Sequence, residues 1–383
     1  MALSSGNGGA EEPMYCRETL ADYLGDRVVY RNLRPADTSL PGLEEIWQEI
    51  GLESCRVPRK TEPAYAAAVL RLLEAAQEQR GGPRLRNLLF IGDMPLSDVA
   101  AARHLASHLP LRGFIGADRL QEPAGVKVEG DLTFGNRWGQ LLDWLDQMER
   151  EHFEIGEQTA VLVDIDKTYI GARGRNDCVI DRARLEAVRL TVEEILADTF
   201  DEKAFQAVYG EIYRPEYHFL TADNQDYLAY ISLMVMGNVI PPGEFWTLLQ
   251  DGQLKNFGEF AALCERRRAR MSRGLAAVHQ EVMGNLQCGD PTPFKSFRYR
   301  EFLTTVARID YLPDETPRAE LLANEIVITQ EVSQAMAQLA KRGALLFATS
   351  DKPDEASNPP IAFSHELRKS QPIHRLVMKS VSG

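Results

Sequence analysis

Val161-Leu162-Val163-Asp164-Ile165-Asp166-Lys167-Thr168 is the stretch on which the reading of this chain turns. A short apolar run of this kind suits a buried strand, and it stops at two acids spaced two apart. Two further runs share the form. Leu88-Leu89-Phe90-Ile91 stops at Gly92-Asp93, and Leu345-Leu346-Phe347-Ala348 stops at Thr349-Ser350-Asp351. Helical patterns lie between them. Pro63 to Gln79 has Pro near its start, and Ser97 to Leu109 opens on Ser and Asp. Asn136 to Glu151 spaces Trp138, Leu141, Leu142, Leu145 and Met148 helically. Thr329 to Arg342 stops at Gly343. Continuous apolar strands alternating with helices predict an α/β fold, a Rossmann-like parallel sheet covered on both faces.

From about 171 to 328 helical spacing dominates, as in Leu185, Val188, Val192, Ile195 and Leu196, then Tyr227, Leu228, Ile231 and Met234. This stretch reads as a helical domain inserted between the Val161 and Leu345 runs. The expected organisation is a flexible tail (1–14), the first part of the core (15–170), the helical insert (171–328) and the second part of the core (329–383). Glu151 to Gln158 reads as a linker. Asp223-Asn224-Gln225-Asp226-Tyr227 reads as a helix start. Phe245, Trp246, Phe294, Phe297 and Phe302 read as core. Arg266-Arg267-Arg268 and Arg270 read as a solvated helix face.

Composition narrows the class. The chain has 383 residues, 44% hydrophobic and 26% charged. That is ordinary globular usage and excludes disordered, collagen-like and disulfide-framework chains. With 43 Lys plus Arg against 56 Asp plus Glu, the net charge is −13. Such a balance argues against nucleic acid or an anionic membrane surface as the main partner. No apolar run approaches the ~18 residues of a membrane helix. Met1 to Pro13 lacks the basic start and apolar stretch of a signal peptide. Cys16, Cys55, Cys178, Cys264 and Cys288 are scattered without zinc-ligand spacing, which suits a reducing cytoplasm. The seven histidines form no HxH or HExxH pattern.

In an open parallel sheet, ligands bind outside the carboxyl ends of the strands. If the three runs are parallel neighbours, Asp93, Asp164, Asp166 and Ser350 converge on one edge. Crowded carboxylates repel one another unless a cation neutralises them, and hard oxygen donors suit Mg²⁺. One acid of the Asp164/Asp166 pair can be a nucleophile and the other an acid/base. A metal with paired carboxylates suits phosphoryl transfer.

Asp164-Ile165-Asp166-Lys167-Thr168 after an apolar strand resembles the first motif of the haloacid dehalogenase (HAD) superfamily of phosphatases. Ser350 resembles its second motif, Lys60 in Arg59-Lys60-Thr61-Glu62-Pro63 its third, and Asp93 with Asp98 its fourth, acidic motif. The order here is third, fourth, first, second, a circular permutation of the family's order. Residue 167, often Gly in the family, is Lys. The resemblance implies a HAD-like core with the insert as a cap over the site. It implies that Asp164 attacks phosphorus and Asp166 serves as acid, then base. Ser350 would bind the phosphoryl group and Lys60 would offset charge beside Asp164. Magnesium would be held by Asp164, the backbone carbonyl of Asp166, and Asp93, with Asp98 behind them or acting through water. Thr168 would fix the loop or touch substrate. Arg173 and Arg175, close after the first motif, are candidate substrate contacts. The expected activity is hydrolysis of a small phosphomonoester. A phosphotransferase or mutase and a non-catalytic phospholigand-binding module are the alternatives. The permuted order leaves room for a swapped homodimer.

Overall fold

In the computed structural model, which describes residues 15–360, 366 and 370–383, the three apolar runs are neighbouring strands of one sheet. The expected tail at 1–14 lies outside the described residues. The strands in chain order are β1 (Cys16–Glu18), β2 (Val28–Val29), β3 (Asn87–Gly92), β4 (Leu111–Gly116), β5 (Val126–Glu129), β6 (Leu132–Gly135), β7 (Thr159–Asp164), β8 (Ile328–Thr329), β9 (Leu345–Thr349) and β10 (Met378–Val381). The large sheet runs β2-β9-β7-β3-β4-β6-β5, and only β5 is antiparallel. Register places Ile91 beside Val163, and Asp164 beside Thr349. The polar residue ending each run therefore emerges on the same sheet edge as its neighbours.

Both faces of this sheet are covered, which is why its strands read as unbroken apolar runs. Leu89, Ile91, Val161, Val163, Leu346 and Ala348 pack on one side with Leu141, Leu145, Val332 and Met336. These partners come from helices Gln140–Arg150 and Gln330–Lys341. Leu88, Phe90, Ala160, Leu162, Leu345 and Phe347 point the other way, onto Val69, Leu72 and Leu73 of helix Pro63–Gln79 and Ala101, Ala102 and Leu105 of helix Ser97–Ala106. The alternation is the period of two expected of strands. Each fully buried aliphatic or aromatic side chain contributes about 1.5–3 kcal/mol.

Strands β4, β5 and β6 extend the sheet beyond what the apolar runs announce. Arg112 and Gly113 interrupt β4, and β5 is exposed throughout. A second, three-stranded sheet joins β1, β10 and β8.

The insert has its own core. Val188, Phe205, Tyr230, Phe245, Phe260, Val282, Phe294 and Phe297 belong to one apolar cluster separate from those flanking the sheet. Helices Asp177–Leu196, Gln225–Met236 and Lys295–Val306 frame it. Asn224 caps the second of these by accepting from the Asp226 N–H at 2.9 Å. The chain leaves and rejoins the sheet at one place. Gly171 N–H donates to Val327 at 2.9 Å, Thr329 N–H donates to Tyr169 at 2.8 Å, and Ile170 bridges Ile328. All five cysteines are free, with Cys264 buried. Among the described residues no helix is long and apolar enough to cross a membrane.

Candidate active site at the strand ends

The turn after β7 is built to present its acids. Ile165 N–H donates to Thr349 on the adjacent strand at 3.0 Å, and Ile170 N–H closes back onto Ile165 at 3.0 Å. To make this turn, Lys167 adopts a left-handed φ of 66°. An ordinary side chain tolerates that region at a cost of about 1–2 kcal/mol, which glycine avoids. The conformation is held by Lys167 Nζ on the Asp181 carboxylate at 2.7 and 2.8 Å.

The loop after β3 is shaped by Asp98. Its Oδ2 accepts from the N–H groups of Asp93 and Met94, both at 3.0 Å. Gly92 permits this approach, because a Cβ there would lie 2.5 Å from Asp98 Oδ2. One Asp98 oxygen is thus committed to the backbone, and the other receives Lys60 Nζ at 3.1 Å.

Asp93, Asp98 and Asp164, all buried, bring carboxylate oxygens within 4.8 Å of one another. Lys60, in the turn before helix Pro63–Gln79, sits among them. Its Nζ is 2.6 Å from Asp164 Oδ1 and 3.1 Å from Asp351 Oδ2. Burial works against its charge, but Asp164, Asp351 and Asp98 together raise its pKa well above the usual lysine value. Arg173 Nε pairs with Asp93 Oδ2, and Thr168 Oγ1 donates to Asp93 Oδ1 at 3.2 Å. Burial, then Asp98, pushes Asp93 up to about 6 despite Arg173. Burial likewise pushes Asp164 up, opposed by Lys60 and reinforced by Asp98, Asp351 and Asp93. Beside them Ser350 Oγ donates to Asp166 Oδ2 at 2.8 Å, and Lys352 Nζ lies 3.1 Å from Asp166 Oδ1.

A single chain therefore brings Lys60, Asp93, Asp98, Asp164, Asp166 and Ser350 together, with Thr168 and Arg173 against Asp93. Two of the expected residues have partners within the chain. Thr168 is fully buried and donates its hydroxyl to Asp93, which orients that carboxylate. Arg175 is engaged away from the acid cluster. Its guanidinium is consumed by Asp118 at 2.7 Å, Glu331 at 3.0 Å and the Val381 carbonyl at 3.3 Å. That tie anchors the loop instead. Gly174, with φ 78°, lies so close to Asp118 that a Cβ would meet its carbonyl oxygen at 2.0 Å. Asp118 N–H donates to Arg173 at 2.8 Å, which holds Arg173 in place for Asp93.

Asp351 and Lys352 were not among the expected site residues. The signal was their position directly after Ser350, but nothing local says that one would reach Lys60 and the other Asp166.

The donor set fits a hard divalent cation: carboxylate oxygens, no sulfur, no imidazole. Five acids (Asp93, Asp98, Asp164, Asp166, Asp351) face three cations (Lys60, Arg173, Lys352); burial is the main cause of the upward shifts of Asp93 and Asp164, and the neighbouring acids add to it. Compared with known proteins, the chain matches no family model, no curated protein and no solved structure.

Proposed function

We propose that this protein is a magnesium-dependent phosphomonoester hydrolase with a circularly permuted HAD-like core, in which the helical insert covers the strand-end site. The observation that carries this reading is the convergence of Asp93, Asp98, Asp164 and Lys60 at the carboxyl ends of adjacent parallel strands. The residues that would hold the metal are Asp93, Asp164 and the backbone carbonyl of Asp166. When bound, Mg²⁺ supplies charge stabilisation to the transferring phosphoryl group.

Asp164, the carboxylate nearest Lys60, attacks phosphorus and forms an aspartyl-phosphate as the ester oxygen leaves. Asp166 gives that oxygen its proton. It then takes a proton from water, which attacks the acyl-phosphate and releases phosphate. Ser350 donates to Asp166 at 2.8 Å and would turn that hydroxyl to a phosphoryl oxygen once substrate is seated. Lys60 and Arg173 supply cationic N–H donors beside Asp164 and Asp93. Asp98 keeps the loop after β3 and Lys60 in register.

Hydrolysis of p-nitrophenyl phosphate with and without magnesium tests the reading. Asp164→Asn should lower turnover by about a thousandfold or more, the scale expected for a nucleophile. A magnesium-loaded wild-type protein inert toward a broad panel of phosphomonoesters would overturn it.

A further inference from the structure

The two edges of the seven-stranded sheet are finished differently. At one edge β2 is buried, Val29 bridges Pro35, and Ala36 N–H donates to Val28 at 2.8 Å. At the other, β5 is exposed along its whole length, with Val126 and Val128 54% and 61% exposed. Its antiparallel ladder pairs Val126 with Gly135, Lys127 with Phe134, Val128 with Thr133 and Glu129 with Leu132 of β6. Asn136 N–H donates to Gly125 at 3.4 Å, so the residues that exchange hydrogen bonds with β6 are Gly125, Lys127 and Glu129. The N–H and C=O groups of Val126 and Val128 therefore point away from β6, and among the described residues no strand lies beyond them.

Such an edge is a template for another strand, and proteins commonly guard it with a lysine. Here the guard is cancelled. Lys127 lies 2.5 Å from Glu129, Arg103 stands 4.0 Å from Glu129, and Arg112 pairs with Asp131 in the turn that follows. In a chain of net charge −13, each acid beside this edge has a base next to it. The strand is also complementary to itself. When two copies are laid antiparallel about Val128, the outward groups of the two Val128 residues bond each other. Lys127 of each copy then stands opposite Glu129 of the other, in the non-hydrogen-bonded positions where side chains come closest.

From this juxtaposition we propose that β5 pairs with β5 of a second copy of this chain about a two-fold axis at Val128, which joins the two sheets into one. The contact is a single short strand, so the dimer is weak and concentration-dependent. It uses none of Lys60, Asp93, Asp164, Asp166 or Ser350, and it stands or falls independently of the hydrolase reading.

Sedimentation velocity from about 2 to 200 µM tests it, and the wild-type chain should shift from monomer toward dimer over that range. Lys127→Glu and Glu129→Lys should each weaken association at least about fivefold, because both set like charges opposite each other. An equimolar mixture of the two variants should return to within about twofold of the wild-type dissociation constant, since every facing pair is again opposite in sign. Net charge alone would weaken the first variant and strengthen the second. Val128→Pro removes an outward N–H and leaves the β6 ladder intact, so it should give a monomer with the wild-type circular dichroism spectrum. A wild-type chain that stays monomeric throughout overturns the proposal. So does a dimer that the charge substitutions leave unchanged, or a mixture no tighter than either variant alone.

Discussion

Two sets of buried charges stand in this molecule, and they are balanced differently. Inside the insert, Arg298 bonds Asp226 at 2.5 and 2.9 Å and Glu301 at 2.5 Å, while Arg184 bonds the other Glu301 oxygen at 3.0 Å. Asp226 also accepts from the Phe294 N–H at 3.0 Å. Two acids meet two arginines. Burial works to raise the Glu301 pKa, but Arg298, Arg184 and Lys352 hold it down at about 2. At the strand ends the acids outnumber the cations; burial, reinforced by Asp98, pushes Asp93 up to about 6, and burial raises Asp226 in the insert as well. A balanced network holds helices together. An unbalanced one has room for another positive charge, and that difference separates scaffold from candidate site.

The largest effect should come from breaking the balanced set. Glu301→Gln leaves Arg184 and Arg298 short of a buried countercharge, at a cost of about 3–5 kcal/mol in urea unfolding. Asp93→Asn should cost far less in the absence of metal, because burial and Asp98 already disfavour that charged carboxylate despite Arg173; a comparable loss would erase the contrast. Metal sharpens it further. Magnesium at about 100 times its Kd should stabilise the wild-type protein by about 2.7 kcal/mol. Asp93→Asn should lose most of that increment, while Glu301→Gln should keep it in thermal melts.

Acid gives a second handle on Glu301. Its folded pKa is depressed from 4.5 to about 2, so its contribution is complete above about pH 4.5 and fades as pH falls toward 2. The stability difference between wild type and Glu301→Gln should shrink over that window, and a difference that stays constant from pH 5 to 2.5 refutes the assignment. Gly92→Ala should follow in size. Its methyl would displace the Asp98 carboxylate, costing about 1–3 kcal/mol and lowering turnover together. The smallest change should be Lys167→Gly. Relief of the left-handed backbone offsets the lost tie to Asp181, leaving stability within about 1 kcal/mol by denaturant titration.

Much of the architecture is legible in the residues because it is local. The helix expected over Pro63 to Gln79 has those limits, since Pro63 begins it and Arg80-Gly81 ends the apolar stripe. The Ser97 helix ends at Ala106, short of Leu109, and the Asn136 pattern becomes helical only at Gln140. Strands β2 and β8 have two residues each, too few to show a period. At the site, strand-end acids announce themselves by following apolar runs. The commitments of Thr168 to Asp93 and of Arg175 to Asp118 and Glu331 do not, because each partner is far away along the chain.

The pairing of Ile170 with Ile328 and of Gly171 with Val327 has a consequence for what this architecture can become. A loop whose two ends are already clasped together can grow at little cost to the sheet, because closure costs rise only slowly with length. The far part of the helical cassette can therefore change length while the strand ends stay in place, provided Arg173 on Asp93, Asp181 on Lys167 and the insert side chains packed against the sheet, such as Ile180, Phe302 and Val306, are kept.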